Sequence, residues 1–143
     1  MAAYKDEKVI EALTGYLEPG ETLKHYAFGV KQPHMALIIL LMLLAILPGI
    51  IAVVLLTKNY LVGLTERRLI VLRVGGKATV KEVTEYALDG LAPAESRTGG
   101  LFTTIRIRDE ARPFVAKFHR LGMTQNREQS TAIGEALMAA ATA

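Results

Sequence analysis

ALIILLMLLAILPGIIAVVLL, residues 36–56, has no charged or amide side chain at any of its 21 positions, and only Pro48 and Gly49 interrupt the apolar run. A helix needs about 20 apolar residues to cross a hydrocarbon core of about 30 Å, and helices buried in water-soluble folds keep a polar stripe. The stretch therefore reads as membrane-inserted, its interior marked by Ala36, Ala45, Pro48, Gly49, Ala52 and Leu56. Two geometries stay open. In one, a single span kinks at Pro48 and its freed carbonyl is satisfied by neighbours. In the other, the chain turns back at Pro48-Gly49, and arms of 12 and 7 residues reach only about 18 and 10 Å into one leaflet. Length alone favours the span. Ala45, Gly49 and Ala52 fall at spacings of four and three, a narrow seam of small residues that permits close helix contact in a bilayer.

The flanks read as interfacial anchors: Tyr26, Phe28, Lys31 and His34 precede the run, and Lys58 and Tyr60 follow it. Residues 1–34 hold four lysines against five acids, and residues 58–143 hold thirteen of the 17 Lys and Arg against nine acids. For a spanning segment, that asymmetry puts the large C-terminal part in the cytoplasm. The chain before the run is acidic and lacks a basic start, so it does not read as a signal peptide. With 143 residues and no cysteine, one small domain is expected, and disulfides, thiolate chemistry and Cys-ligated metals are excluded.

Outside the run, Val9, Ala12, Leu13, Tyr16 and Leu17 share a helical face over residues 4–17, and Pro19-Gly20 is a turn. Thr22–Val30 is β-rich. Tyr60–Thr65 and Leu69–Val74 flank the polar turn Glu66-Arg67-Arg68 as a hairpin, and Thr79–Ala87 is a further strand. Asp89–Gly100, rich in Gly, Ala, Pro and Ser, reads as a loop. In LFTTIRIR, residues 101–108, Leu101, Thr103, Ile105 and Ile107 share one face, and Phe102, Thr104, Arg106 and Arg108 share the other. Phe114–His119 is the last strand, and Thr124 caps a final helix with an Ile133, Ala136, Leu137, Ala140 stripe. The segments are residues 1–33 (amphipathic helix and strand), 34–57 (apolar) and 58–143 (β domain with its C-terminal helix). The fold class is mainly β with helices (α+β): a small antiparallel barrel or sandwich capped by that helix, plus the apolar membrane helix or hairpin.

YLVGLTERRLIVLRV at 60–74, together with LEPGE at 17–21, resembles the bacterial pleckstrin-homology-like (PH-like) domain family, in which a Thr-x-Arg-Arg turn leads into an apolar barrel strand. The resemblance extends over about residues 17–140, interrupted by the apolar run, and its motifs are structural. Many members carry membrane-spanning helices, usually two, whereas this chain has length for one or for a shallow hairpin, and the resemblance implies that the membrane is a bacterial inner or plasma membrane. It also implies that Thr22–Val30 and the strands after Tyr60 share one barrel. A single crossing would forbid that.

Little here points to catalysis. His25, His34 and His119 are scattered, Asp109 and Glu110 are adjacent turn residues, and neither Gly75-Gly76-Lys77 nor Gly99-Gly100 has the spacing of a phosphate loop. No enzyme, cofactor, metal or small-molecule substrate is expected. Nucleic acid is not expected either, because no aromatic platform is interleaved with the basic residues. Arg67, Arg68, Arg73, Lys77 and Lys81 are the candidate contacts to anionic lipid. The expected function is a membrane-anchored, non-enzymatic scaffold that engages lipid headgroups, a protein partner or itself. The alternatives are an accessory subunit of a larger membrane complex and a self-assembling homo-oligomer.

Overall fold

The computed structural model describes residues 5–32, 35–44, 46–75 and 79–142. In chain order it comprises α1 (Asp6–Thr14), β1 (His25–Lys31), α2 (Met35–Leu44), α3 (Ile46–Leu56), β2 (Lys58–Leu64), β3 (Arg68–Val74), β4 (Val80–Ala87), β5 (Ala94–Thr98), β6 (Phe102–Ile107), β7 (Phe114–His119) and α4 (Asn126–Ala141).

Side-chain alternation drives the strands onto a shared core. In β6, Thr103, Ile105 and Ile107 are buried while Phe102 and Arg106 face out, and β7 buries Phe114, Ala116 and Phe118 in the same rhythm. β2 and β3 instead read as near-continuous apolar runs, because both of their faces are covered. On one face Ala27, Val62, Val71, Ile105 and Phe118 pack with Ile133 and Leu137 of α4. On the other, Phe28, Leu61, Ile70 and Leu72 pack with Val9 and Leu13 of α1.

The seven strands form one antiparallel sheet in the order β4-β3-β2-β1-β7-β6-β5. β1 pairs with β2 along its whole length, from His25↔Leu64 to Lys31↔Lys58. Its register with β7 is a single pair, Val30↔Lys117. Asn126 at the start of α4 bridges that seam: its side chain accepts from the Phe28 N–H (2.9 Å) and donates to the Phe28 carbonyl (3.0 Å) and the His119 carbonyl (2.7 Å).

The β1–β2 register decides the topology of the apolar run. Lys31 and Lys58 are cross-strand partners, so the chain that leaves β1 must return beside it. It does so as two helices packed against each other, α2 described to Leu44 and α3 from Ile46; Ala45 and His34 lie outside the described residues. The long membrane helix of the expected fold class is therefore corrected, since no described helix is long and apolar enough to cross a membrane. The described residues form an α+β fold, a seven-stranded antiparallel sheet with four helices. The placement in a bacterial inner membrane with a cytoplasmic domain depended on a crossing, and it falls with the span.

Pro48 explains where the run breaks. In a continuous helix its ring would collide with the carbonyl four residues back, that of Leu44, and Leu44 is where α2 stops. Pro48 sits instead in the first turn of α3, where no N–H is needed. Pro48 and Gly49 thus lie within α3, and the described arms are 10 and 11 residues long rather than 12 and 7.

Two smaller differences have local causes. β5 falls inside the stretch read as a loop, because AESRT carries no large apolar residue and is held by backbone pairing to β6. The residue before α4 is Gln125, in a left-handed conformation at φ 58°, rather than Thr124.

Candidate functional site

The surface feature that most needs an explanation is the α2–α3 hairpin. Among the described residues, fourteen of the twenty large exposed apolar side chains belong to it, with Leu43, Leu44 and Leu55 79%, 75% and 77% exposed. Only a thin inner seam is shielded: Ile38 and Leu41 of α2 against Gly49, Ala52 and Val53 of α3. Gly49 lies so close to the Leu41 backbone that a Cβ there would come within 2.5 Å of the Leu41 carbonyl oxygen. Ala36, Pro48 and Leu56 are exposed, so the small-residue seam narrows to Gly49 and Ala52 among the described residues. At 1.5 Å per residue the helices are about 15 and 16 Å long, close to half the hydrocarbon core.

The root of the hairpin is basic. Lys31 and Lys58 are exposed and directly opposed across β1 and β2, and no ion pair engages either among the described residues. Near them, Lys31 lines a cavity of about 330 Å³ together with Arg106, Arg108, Asp109, Glu110 and Phe114. Arg108 is held by Glu95 at 3.0 Å, and Asp109 accepts from the N–H groups of Ala111 and Arg112 to close its turn.

The sequence-derived lipid contacts divide between two poles. Arg73, 4.0 Å from Glu82, and the exposed Lys81 lie at the end of β3–β4 nearer the hairpin, and Lys77 lies outside the described residues. Arg67 and Arg68 sit at the opposite end of the sheet, seven strand residues away, and belong to a clasp. Arg68 donates to Glu21 (2.8 Å), to the Tyr16 carbonyl (2.7 Å) and to Glu85. The Thr65 hydroxyl donates to Glu21 (2.8 Å) and accepts from the backbone N–H of Arg67 and Arg68. Arg67 pairs with Glu18 at 2.8 Å in the open. LEPGE and Thr-Glu-Arg-Arg are thus two halves of one ion-pair network. Hydrogen bonding from Arg68 above all, aided by the Glu18 backbone and Thr65, outweighs burial and holds the Glu21 carboxyl down to about 2; Glu21 first, and Glu85 with it, raise the Arg68 guanidinium against the opposing effect of burial.

Near the 330 Å³ cavity, Tyr60, Tyr86 and Phe114 form an aromatic cluster, with Tyr60 edge-on to Phe114 at 5.3 Å and Arg112 over Tyr86. Burial raises both phenols, with Arg73 opposing at Tyr60 and Arg112 at Tyr86. Among the described residues, no three His, Asp or Glu side chains are grouped to hold a metal. His25 meets the Gln129 amide oxygen at 3.0 Å, and His119 Nδ1 accepts from the Leu121 N–H.

No family model matches the chain, and no curated protein matches it. Among solved structures it is similar to the hSac2 domain from human phosphoinositide phosphatase Sac2, with a TM-score of 0.50 and 12% identity over 99% of this chain and 85% of that one. That likeness is one of fold.

Proposed function

We propose that this protein is a non-enzymatic, PH-like binding and scaffold domain that fastens itself to lipid by seating the α2–α3 hairpin in a single leaflet. The observation that carries the reading is the hairpin: apolar on every side, standing off the sheet, and half a hydrocarbon core in length. Exposing so many aliphatic side chains to water costs on the order of 10 to 20 kcal/mol, at 1.5 kcal/mol or more for each fully buried side chain. A cluster of such hairpins in water would still leave the outer sides wet, whereas acyl chains cover all sides at once. The root supports the same arrangement, because its lysines and Tyr60 would stand at headgroup depth.

The test is flotation of the full chain with phosphatidylcholine vesicles. Wild type is expected in the floating fraction, and a Leu43→Asp/Leu47→Asp tip variant in the pellet. Wild-type protein that stays below as a defined oligomer would overturn the reading in favour of self-assembly. Recovery only with a partner chain would favour an accessory subunit.

A further inference from the structure

The root of the hairpin holds two lysines where sheet chemistry disfavours them. Like charges directly opposed on neighbouring strands repel, yet Lys31 and Lys58 are register partners, and no acid pairs with either among the described residues. Lys31 also opens into the 330 Å³ cavity, where Arg106 is without an ion pair among the described residues while Glu95 engages Arg108. Of the acids there, Asp109 is turned into its own loop by two backbone N–H groups, and Glu110 stands exposed on that turn. Lys58 stands beside Lys31 outside that cavity, whose lining holds Lys31, Arg106 and Arg108 with Asp109 and Glu110, at the level where a lipid phosphate would sit.

We infer that Lys31 and Lys58 form a seat for the phosphates of anionic lipids and make the docking selective for negatively charged leaflets. The inference rests on the one-leaflet reading and names its lipid class. The repulsion between the lysines is relieved when a phosphodiester lies between them, so the site is complete only when the hairpin is inserted. Arg67 and Arg68 are no part of it, since they face the other pole.

The experiment compares full-length wild type with Lys31→Gln/Lys58→Gln by flotation on phosphatidylcholine vesicles and on phosphatidylcholine mixed with phosphatidylglycerol. Wild type is expected to prefer the mixed vesicles, and each lysine is expected to account for about a fivefold share of that preference. The double variant should bind neutral vesicles as well as wild type does and lose most of the preference, which rising salt should also erase in wild type. Glu110→Gln should leave the preference intact or strengthen it. An unchanged preference in the double variant, or none in wild type, overturns the seat while the leaflet reading stands. Binding to neither vesicle overturns both.

Discussion

Of the side chains that hold the sheet together, Arg68 and Asn126 show how different two buried polar residues can be. The Arg68 side chain is 12% exposed and its partner Glu21 is fully enclosed, so Arg68→Ala leaves a buried carboxylate without its main partner, whereas Glu21→Gln leaves Arg68 paired with Glu85. Arg68→Ala should cost about 3 to 5 kcal/mol in denaturant unfolding, and Glu21→Gln about 2 kcal/mol, the loss of hydrogen bonds to a charged group. Arg67→Ala, which removes an open pair with Glu18, should stay within about 1 kcal/mol. The depressed Glu21 pKa fixes the sign of the acid response. Its contribution is complete above the ordinary 4.5 and is lost as pH falls toward about 2, so the gap between wild type and Glu21→Gln should shrink from about pH 7 to about pH 3. Asn126 is neutral and acts as both donor and acceptor. Asn126→Ala should cost about 2 kcal/mol, and Asn126→Asp more, because a carboxylate would face the Phe28 and His119 carbonyls. An Asp variant as stable as wild type would refute the donor role.

At the level of helices and strands, Gly49 sets how tightly the hairpin closes. Gly49→Val would force the Leu41 backbone away, because the Cβ alone already meets its carbonyl at 2.5 Å. Since the chain has no cysteine, a pair introduced at Ile38 and Ala52, both half-buried on the seam, reports this directly: its oxidative cross-linking should slow in the valine background. Legibility in the sequence also differed element by element. β3 and β7 declare themselves through β-branched and aromatic residues, and the apolar run through its composition. The site of reversal is misread because Pro-Gly is turn chemistry in water, whereas here proline is accommodated in a first helical turn and glycine in a helix contact. β5 is invisible because its stability lies in main-chain bonds to β6. The arginines of the Thr-Glu-Arg-Arg turn look like lipid contacts because charge is visible in a sequence, while their partners Glu18 and Glu21 become neighbours only once β1 lies beside β2. The lysine pair at the root is hidden for the same reason, as Lys31 and Lys58 meet only through strand register.

Taken as a whole, the molecule ties both ends of the apolar insert to one sheet, so everything outside the hairpin must lie on one side of any surface it enters. Single cysteines at Thr14 and Thr98 should therefore react together with an impermeant maleimide, or be protected together, in sealed vesicles; labelling of one alone would break the β1–β2 register. Pro48→Ala should give the same result, because proline selects where the run breaks while the Lys31↔Lys58 pairing requires that it turn back at all. That pairing also makes the hairpin a cassette. The chain between the two lysines begins and ends a single cross-strand step apart, so replacing residues 32–57 with Asn-Gly should leave an ordinary two-residue β-turn in its place. Shortening the loop that must close before β1 meets β2 should lower the entropic cost of pairing by roughly 2 kcal/mol. The excised protein is thus expected to fold faster than its parent, which would make the insert a burden on the sheet's own assembly.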